Sequence, residues 1–196
     1  MFRRLAVFLA TLCVGTSCML AAQPASLPSV TKPAVDNNFV QKQFGSTCSL
    51  IGLDPLIADL DSDGVEDIVI PARCTNPMMD QVEDSFVVVD PYNSFFGYGN
   101  PKITTQFSSD DPHNRGYSLL VIHGAGPDAW YSATPKAKFL IVNLPFKNVV
   151  VKKLAIKKKK TMMGIFAEET GGDQATSVVF WDGKKYRYQP LGASME

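Results

Sequence analysis

The sequence predicts an all-β domain of mainly antiparallel strands, and three observations carry that expectation. Short runs rich in Val, Ile, Phe and Tyr recur along the chain, separated by Gly, Pro, Asn and Asp; this is the alternation of strand formers and turn formers expected of β structure. No stretch beyond the leader sustains the 3.6-residue apolar period of an amphipathic helix. Near the end, Asp182-Gly183 lies between Phe180-Trp181 and Lys184-Lys185-Tyr186, and Asp-Gly is a dipeptide that two-residue hairpin turns favour.

The elements are read in chain order. Arg3 and Arg4, the apolar run Leu5–Val14 and the small residues Ala21 and Ala22 read as a signal peptide over residues 1–22, cleaved after Ala22. The apolar run is shorter than the ~20 residues a membrane span needs. A lipoprotein reading would use Cys18, but Gly15, Thr16 and Ser17 before it fit lipidation poorly. Residues 23–44 carry Pro24, Pro28 and Pro33 without apolar periodicity and read as a flexible leader. A single β-rich domain then covers 45–196. Its expected strands are Leu56–Ala58, Asp67–Pro71, Phe86–Asp90, Ser118–His123, Lys138–Asn143, Val149–Ile156, Met162–Glu168, Thr176–Trp181 and Lys184–Gln189. The looser stretch Pro91–Pro112 reads as a long surface loop with room for one short helix, and few or no helices are expected elsewhere. Gly171-Gly172-Asp173 marks a turn.

Charge and cysteine content narrow the class. Without the first 22 residues the chain has 174 residues, 17 basic and 19 acidic, a net charge of −2. This balance argues against a dedicated nucleic-acid binder. The distribution is uneven: 5 basic and 14 acidic residues from Gln23 to Pro135, then 12 basic and 5 acidic from Lys136 onward. Cys48 and Cys74 remain after cleavage and flank an acidic segment. In an oxidising compartment they are expected to form a disulfide. The alternative, a zinc site, lacks nearby ligands, because His113 and His123 lie in another segment. The expected location is secreted or periplasmic.

The most specific chemistry is in Asp59–Asp67, D-L-D-S-D-G-V-E-D. Carboxylates fall at positions 1, 3, 5 and 9 and a glycine at position 6, the pattern of hard oxygen ligands and a sharp turn that Ca²⁺ requires. Mutual repulsion among Asp59, Asp61, Asp63 and Asp67 calls for a cation between them. An EF-hand or a dockerin-type loop would place a carboxylate or amide ligand at position 12 and a helix after it. Position 12 here is Ile70, within the strand signal Ile68-Val69-Ile70. The string from Ile57 to Ile70 resembles the calcium-binding core of FG-GAP repeats (integrin-α or VCBS type), a short strand, a D-x-D-x-D-G-x-x-D loop and an apolar strand returning antiparallel. The resemblance implies Ca²⁺ ligation by the side chains of Asp59, Asp61, Asp63 and Asp67 and the carbonyl of Val65. It covers about 15 residues in one copy, whereas such repeats usually recur to build a propeller. The expected architecture is therefore a sandwich or a partial, propeller-like assembly of sheets.

Other segments carry weaker signals. His123-Gly124-Ala125-Gly126 after Leu119–Ile122 is similar to the oxyanion loop of α/β-hydrolases, but no G-x-S-x-G nucleophile elbow accompanies it. Asp110, Asp111, His113, His123 and Asp128 are too loosely spaced for a metal motif. Lys157–Lys160, with Lys152 and Lys153, reads as the exposed tip of a hairpin or as a patch for an anionic partner. Tyr186 and Tyr188 alternate with Lys185 and Arg187, as a strand with one packed and one solvated face would. The combined expectation is an exported calcium-binding β protein, a non-enzymatic binding or envelope-associated module with an extracellular protein or polysaccharide ligand, no nucleic-acid partner and no membrane span. The alternative is an extracellular or periplasmic hydrolase whose catalytic residues are not recognisable.

Overall fold

A computed structural model describes residues 32–97, 116–156, 160–169 and 174–192. In them the apolar runs become two sheets. The first holds β1 (Cys48–Leu50), β3 (Asp67–Cys74), β5 (Tyr117–His123), β6 (Ala137–Ile141) and β4 (Val87–Val89) in that order, with β2 (Leu56–Ala58) also paired to β3. The second holds β10 (Tyr186–Pro190), β9 (Ser177–Trp181), β8 (Lys160–Glu168) and β7 (Asn148–Ile156). All pairs are antiparallel except β4 with β6. The expected mainly antiparallel all-β fold is what the chain adopts, and of the two assemblies left open it is the sandwich. No helix among the described residues is long and apolar enough to cross a membrane.

The first sheet is covered on both faces, which explains why its central strands read as unbroken apolar runs rather than as alternations. Ile68, Ile70, Ala72, Leu120, Ile122 and Leu140 face a core closed by Val40, Phe44, Phe86 and Trp130. Val69, Leu119, Val121, Phe139 and Ile141 face the second sheet through Val149, Ile165, Ala167, Val179, Tyr186 and Tyr188. Tyr186 and Tyr188 are buried while Lys185 and Arg187 are exposed, so that alternation is a packed face and a solvated one.

Helix α1 (Asn37–Phe44) corrects the expected leader, which was drawn through residue 44. Asp36 caps it, its carboxylate accepting from the Phe39 N–H at 2.8 Å. Val40 and Phe44, four residues apart and therefore on one helical face, are fully buried against the first sheet. Lys138, beside the helix end, donates from Nζ to the Gln43 carbonyl at 2.8 Å and so satisfies one of the carbonyls a helix leaves without an internal partner. With only three apolar residues in eight, Phe39, Val40 and Phe44, tertiary packing rather than propensity holds this helix.

The structure also corrects the hairpin. Trp181 pairs with Tyr186, so the β9–β10 loop has four residues, 182–185, rather than two. Asp182 organises it by accepting from the Lys184 and Lys185 N–H groups, each at 2.9 Å, and from Arg187 Nε at 2.5 Å. Burial would raise its pKa, yet these donors hold it down at about 2. In the looser stretch, α2 (Pro91–Phe95) starts at Asp90, whose carboxylate accepts from the Asn93 N–H at 2.9 Å. Residues 98–115, with Asp110, Asp111 and His113, lie outside the described residues, as do residues 157–159 of the lysine run and the turn 171–173. Strand β1 has no counterpart among the expected strands.

Cys48 and Cys74 form a disulfide. They are opposed in the β1–β3 register, and their N–H groups donate elsewhere, to Gly45 and Gly116. They thus occupy a non-hydrogen-bonded pair, where opposed Cα atoms approach most closely; here the separation is 4.1 Å.

Candidate metal centre

The acidic loop, residues 59–66, joins β2 to β3, whose last pair is Ala58 with Asp67. Its turn is built by the carboxylates themselves. Asp59 accepts from the Asp63 N–H at 3.1 Å and the Gly64 N–H at 3.0 Å, and Asp63 accepts from the Val65 N–H at 2.9 Å. Gly64 has φ +87°, a left-handed conformation that only glycine adopts without strain, and this accounts for glycine at the sixth position.

Asp67, at the start of β3, is completely buried. Its two oxygens accept from the Leu60 N–H at 2.7 Å and the Gly124 N–H at 2.8 Å. Burial still dominates and raises its pKa to about 6, against the lowering effect of those donors. Asp61, although on the loop, has a side chain only 3 % exposed. Its Oδ2 contacts Lys136 Nζ at 2.5 Å and His123 Nδ1 at 3.5 Å, whereas Oδ1 is buried without a hydrogen-bond partner. One oxygen from each of Asp59, Asp61 and Asp67 lies within 4.8 Å of those of the other two, the single such group of three among the described residues.

Asp63 is placed differently from the other three carboxylates. Its Oδ2 takes Lys136 Nζ at 2.8 Å, and this hydrogen bond is the main cause holding its pKa below the usual aspartate value. The same two carboxylates, Asp61 foremost, raise the pKa of Lys136. Val65, the expected carbonyl ligand, is part of the turn through its N–H bond to Asp63.

Four residues complete this end of the sandwich that local sequence patterns did not single out as one site. His123 ends β5 and is 1 % exposed, enclosed by the rings of Phe139, Trp181 and Tyr186. Burial lowers its pKa, so the imidazole is neutral at neutral pH. Its Nε2 hydrogen-bonds with the Tyr186 hydroxyl at 2.7 Å, and its Nδ1 lies 3.5 Å from Asp61 Oδ2. A Tyr186–His123–Asp61 chain thereby links the second sheet to the loop. Lys136 is delivered by the β5–β6 connection, where its N–H donates to the His123 carbonyl at 3.0 Å.

Gly124 is the fourth. The His-Gly-Ala-Gly stretch serves here as a clamp on Asp67. A Cβ on Gly124 would lie 2.3 Å from the Glu66 carbonyl oxygen and 2.7 Å from the Ala129 carbonyl carbon. Backbone on both sides cannot yield as a side chain would, so Gly124→Ala is expected to cost about 2–3 kcal/mol. Chemical denaturation measures this, and an unchanged midpoint would contradict the clamp.

The donor set fits a hard divalent cation. It consists of carboxylate oxygens only, one of them buried without a donor, and such a group is costly unless it is paired. Asp59 borders an open groove of about 400 Å³ lined by Ile57, Ser62, Lys153, Met162 and Met163, which gives solvent a route to the loop. Comparison with protein-family models, curated proteins and solved structures finds no match, so the site is read from its own chemistry.

Proposed function

We propose that the chain is an exported, non-enzymatic β module with a structural Ca²⁺ site in the β2–β3 loop, built like an FG-GAP turn. The observation that carries this reading is the buried, unpartnered Oδ1 of Asp61 beside Asp59 and Asp67. The short strand, acidic loop and antiparallel return strand support the FG-GAP likeness. Asp59, Asp61 and Asp67 would hold the ion, with Asp63 and the Val65 carbonyl joining if Lys136 withdraws. Bound Ca²⁺ would supply positive charge at carboxylates that burial penalises, pinning the loop to the ends of β3 and β5. The disulfide supports export to an oxidising compartment, where thiols persist in oxidised form.

Calorimetric titration with Ca²⁺, paired with thermal melts with and without EGTA, tests the proposal. At a Ca²⁺ concentration 100 times Kd the expected stabilisation is about 2.7 kcal/mol. For a chain of this size that corresponds to roughly 5–10 °C in Tm. Asp61→Asn should remove both the binding heat and the chelator effect. Identical melts with and without EGTA, together with no binding heat, would overturn the calcium reading.

A further inference from the structure

We propose that Lys136 is a tethered counter-ion that competes with the divalent cation for Asp61 and Asp63, so that the ion must displace its ammonium group to bind fully. The inference rests on the calcium reading and concerns how that site is regulated. Lys136 Nζ lies 2.5 Å from Asp61 Oδ2 and 2.8 Å from Asp63 Oδ2, bridging the two carboxylates as a metal ion would. Its side chain is 50 % exposed while that of Asp61 is 3 % exposed, so the lysine can leave toward solvent and the aspartate cannot. The Lys136 N–H is anchored on the His123 carbonyl, and the flexible four-carbon stem permits withdrawal without moving β6.

The charge count makes the competition direct. Of the carboxylates at positions 1, 3, 5 and 9, Asp61 and Asp63 are ion-paired through Lys136, whereas Asp59 and Asp67 accept from backbone N–H groups. An ammonium and a divalent cation held by the same carboxylate, one on each oxygen, would lie close enough for strong like-charge repulsion. With the ammonium in place the loop is neutralised in part and keeps its turn; with it displaced, both carboxylates turn to the ion. The lysine thereby tunes affinity downward, and Ca²⁺ binding releases a primary amine.

Calorimetry on Lys136→Gln, on Lys32→Gln and on the wild type, together with amine acetylation read by mass spectrometry, tests this. Lys32 pairs with Glu66 at 3.2 Å, outside the carboxylate cluster, and controls for the general loss of one positive charge. The expected result is that Lys136→Gln binds Ca²⁺ about tenfold or more tightly than wild type, within the usual range of coupling between two ligands of one site, while Lys32→Gln changes affinity less than about threefold. In wild type, acetylation of Lys136 should rise severalfold when Ca²⁺ is added, because an ammonium held by two carboxylates is a poor nucleophile. Equal affinity of wild type and Lys136→Gln, or equal gains in both variants, would overturn the competition while leaving the calcium site standing. No binding by either wild type or Lys136→Gln would overturn both. If Lys136→Gln does not fold, labelling of the wild type decides alone: a Ca²⁺-dependent rise at Lys136 supports displacement and its absence refutes it.

Discussion

Asp67→Ala is expected to lower the unfolding free energy by about 3–4 kcal/mol. The carboxylate is fully buried and accepts from two backbone N–H groups, those of Leu60 and Gly124. Alanine leaves both donors buried without an acceptor, and a hydrogen bond to a charged group contributes about 1.5–3 kcal/mol. The loss falls short of twice the upper value because burial raises the pKa of Asp67 to about 6, so removing the charge also removes a desolvation cost. The consequence is wider than one side chain. Leu60 lies in the acidic loop and Gly124 follows β5, so Asp67 ties the loop to the end of the neighbouring strand. Asp67→Asn should lie between wild type and alanine, since one oxygen still accepts while the amide nitrogen faces an N–H donor. Urea denaturation with EGTA present isolates the structural part from any ion. A loss under about 1 kcal/mol would mean that the two backbone donors find other partners, contrary to the geometry.

Loss of the Cys48–Cys74 bridge ranks beside it. The cysteines are 26 positions apart, and closing such a loop restricts the unfolded chain by about 3–4 kcal/mol in the chain-entropy model. Both side chains are at most 1 % exposed, so Cys48→Ala with Cys74→Ala adds a modest packing loss as well. The bridge ties β1, a three-residue strand at the sheet edge, to β3. It lies within the core that α1 covers. Reduction should therefore loosen residues 37–50 first, seen as faster amide exchange at Leu50, whose N–H donates to the Asn37 side chain at 2.8 Å. Equal denaturation midpoints for the oxidised and reduced protein would refute the assigned contribution.

These two effects fall in regions that the sequence read with unequal success. Ile68-Val69-Ile70 and Leu119–Ile122 were legible as strands because β-branched and aliphatic runs of that length have few other uses. The acidic loop was legible because ligand spacing is a local property. The helix over 37–44 was not, since Phe39, Val40 and Phe44 are three apolar residues in a short polar stretch and only the sheet beneath them makes a helix favourable. The β9–β10 turn was read one residue pair too tight. Asp-Gly is compatible with a two-residue turn, but Asp182 also gathers the N–H groups of Lys184 and Lys185 and the Arg187 side chain, which stabilises a four-residue loop.

The candidate centre divides in the same way. Sequence alone determined which carboxylates are near one another in the chain, that a glycine must follow them and that two cysteines flank them, because each depends on spacing over a few residues or on residue chemistry. Tertiary structure alone decided their surroundings. It buries Asp61 and Asp67 while exposing Asp63, and it brings Lys136 to Asp61 from 75 positions away. It also converts a His-Gly pair resembling an oxyanion loop into a clamp on Asp67 and a hydrogen-bonded contact with Tyr186. Burial and long-range pairing follow from how the sheets register and stack, and no local spacing encodes that.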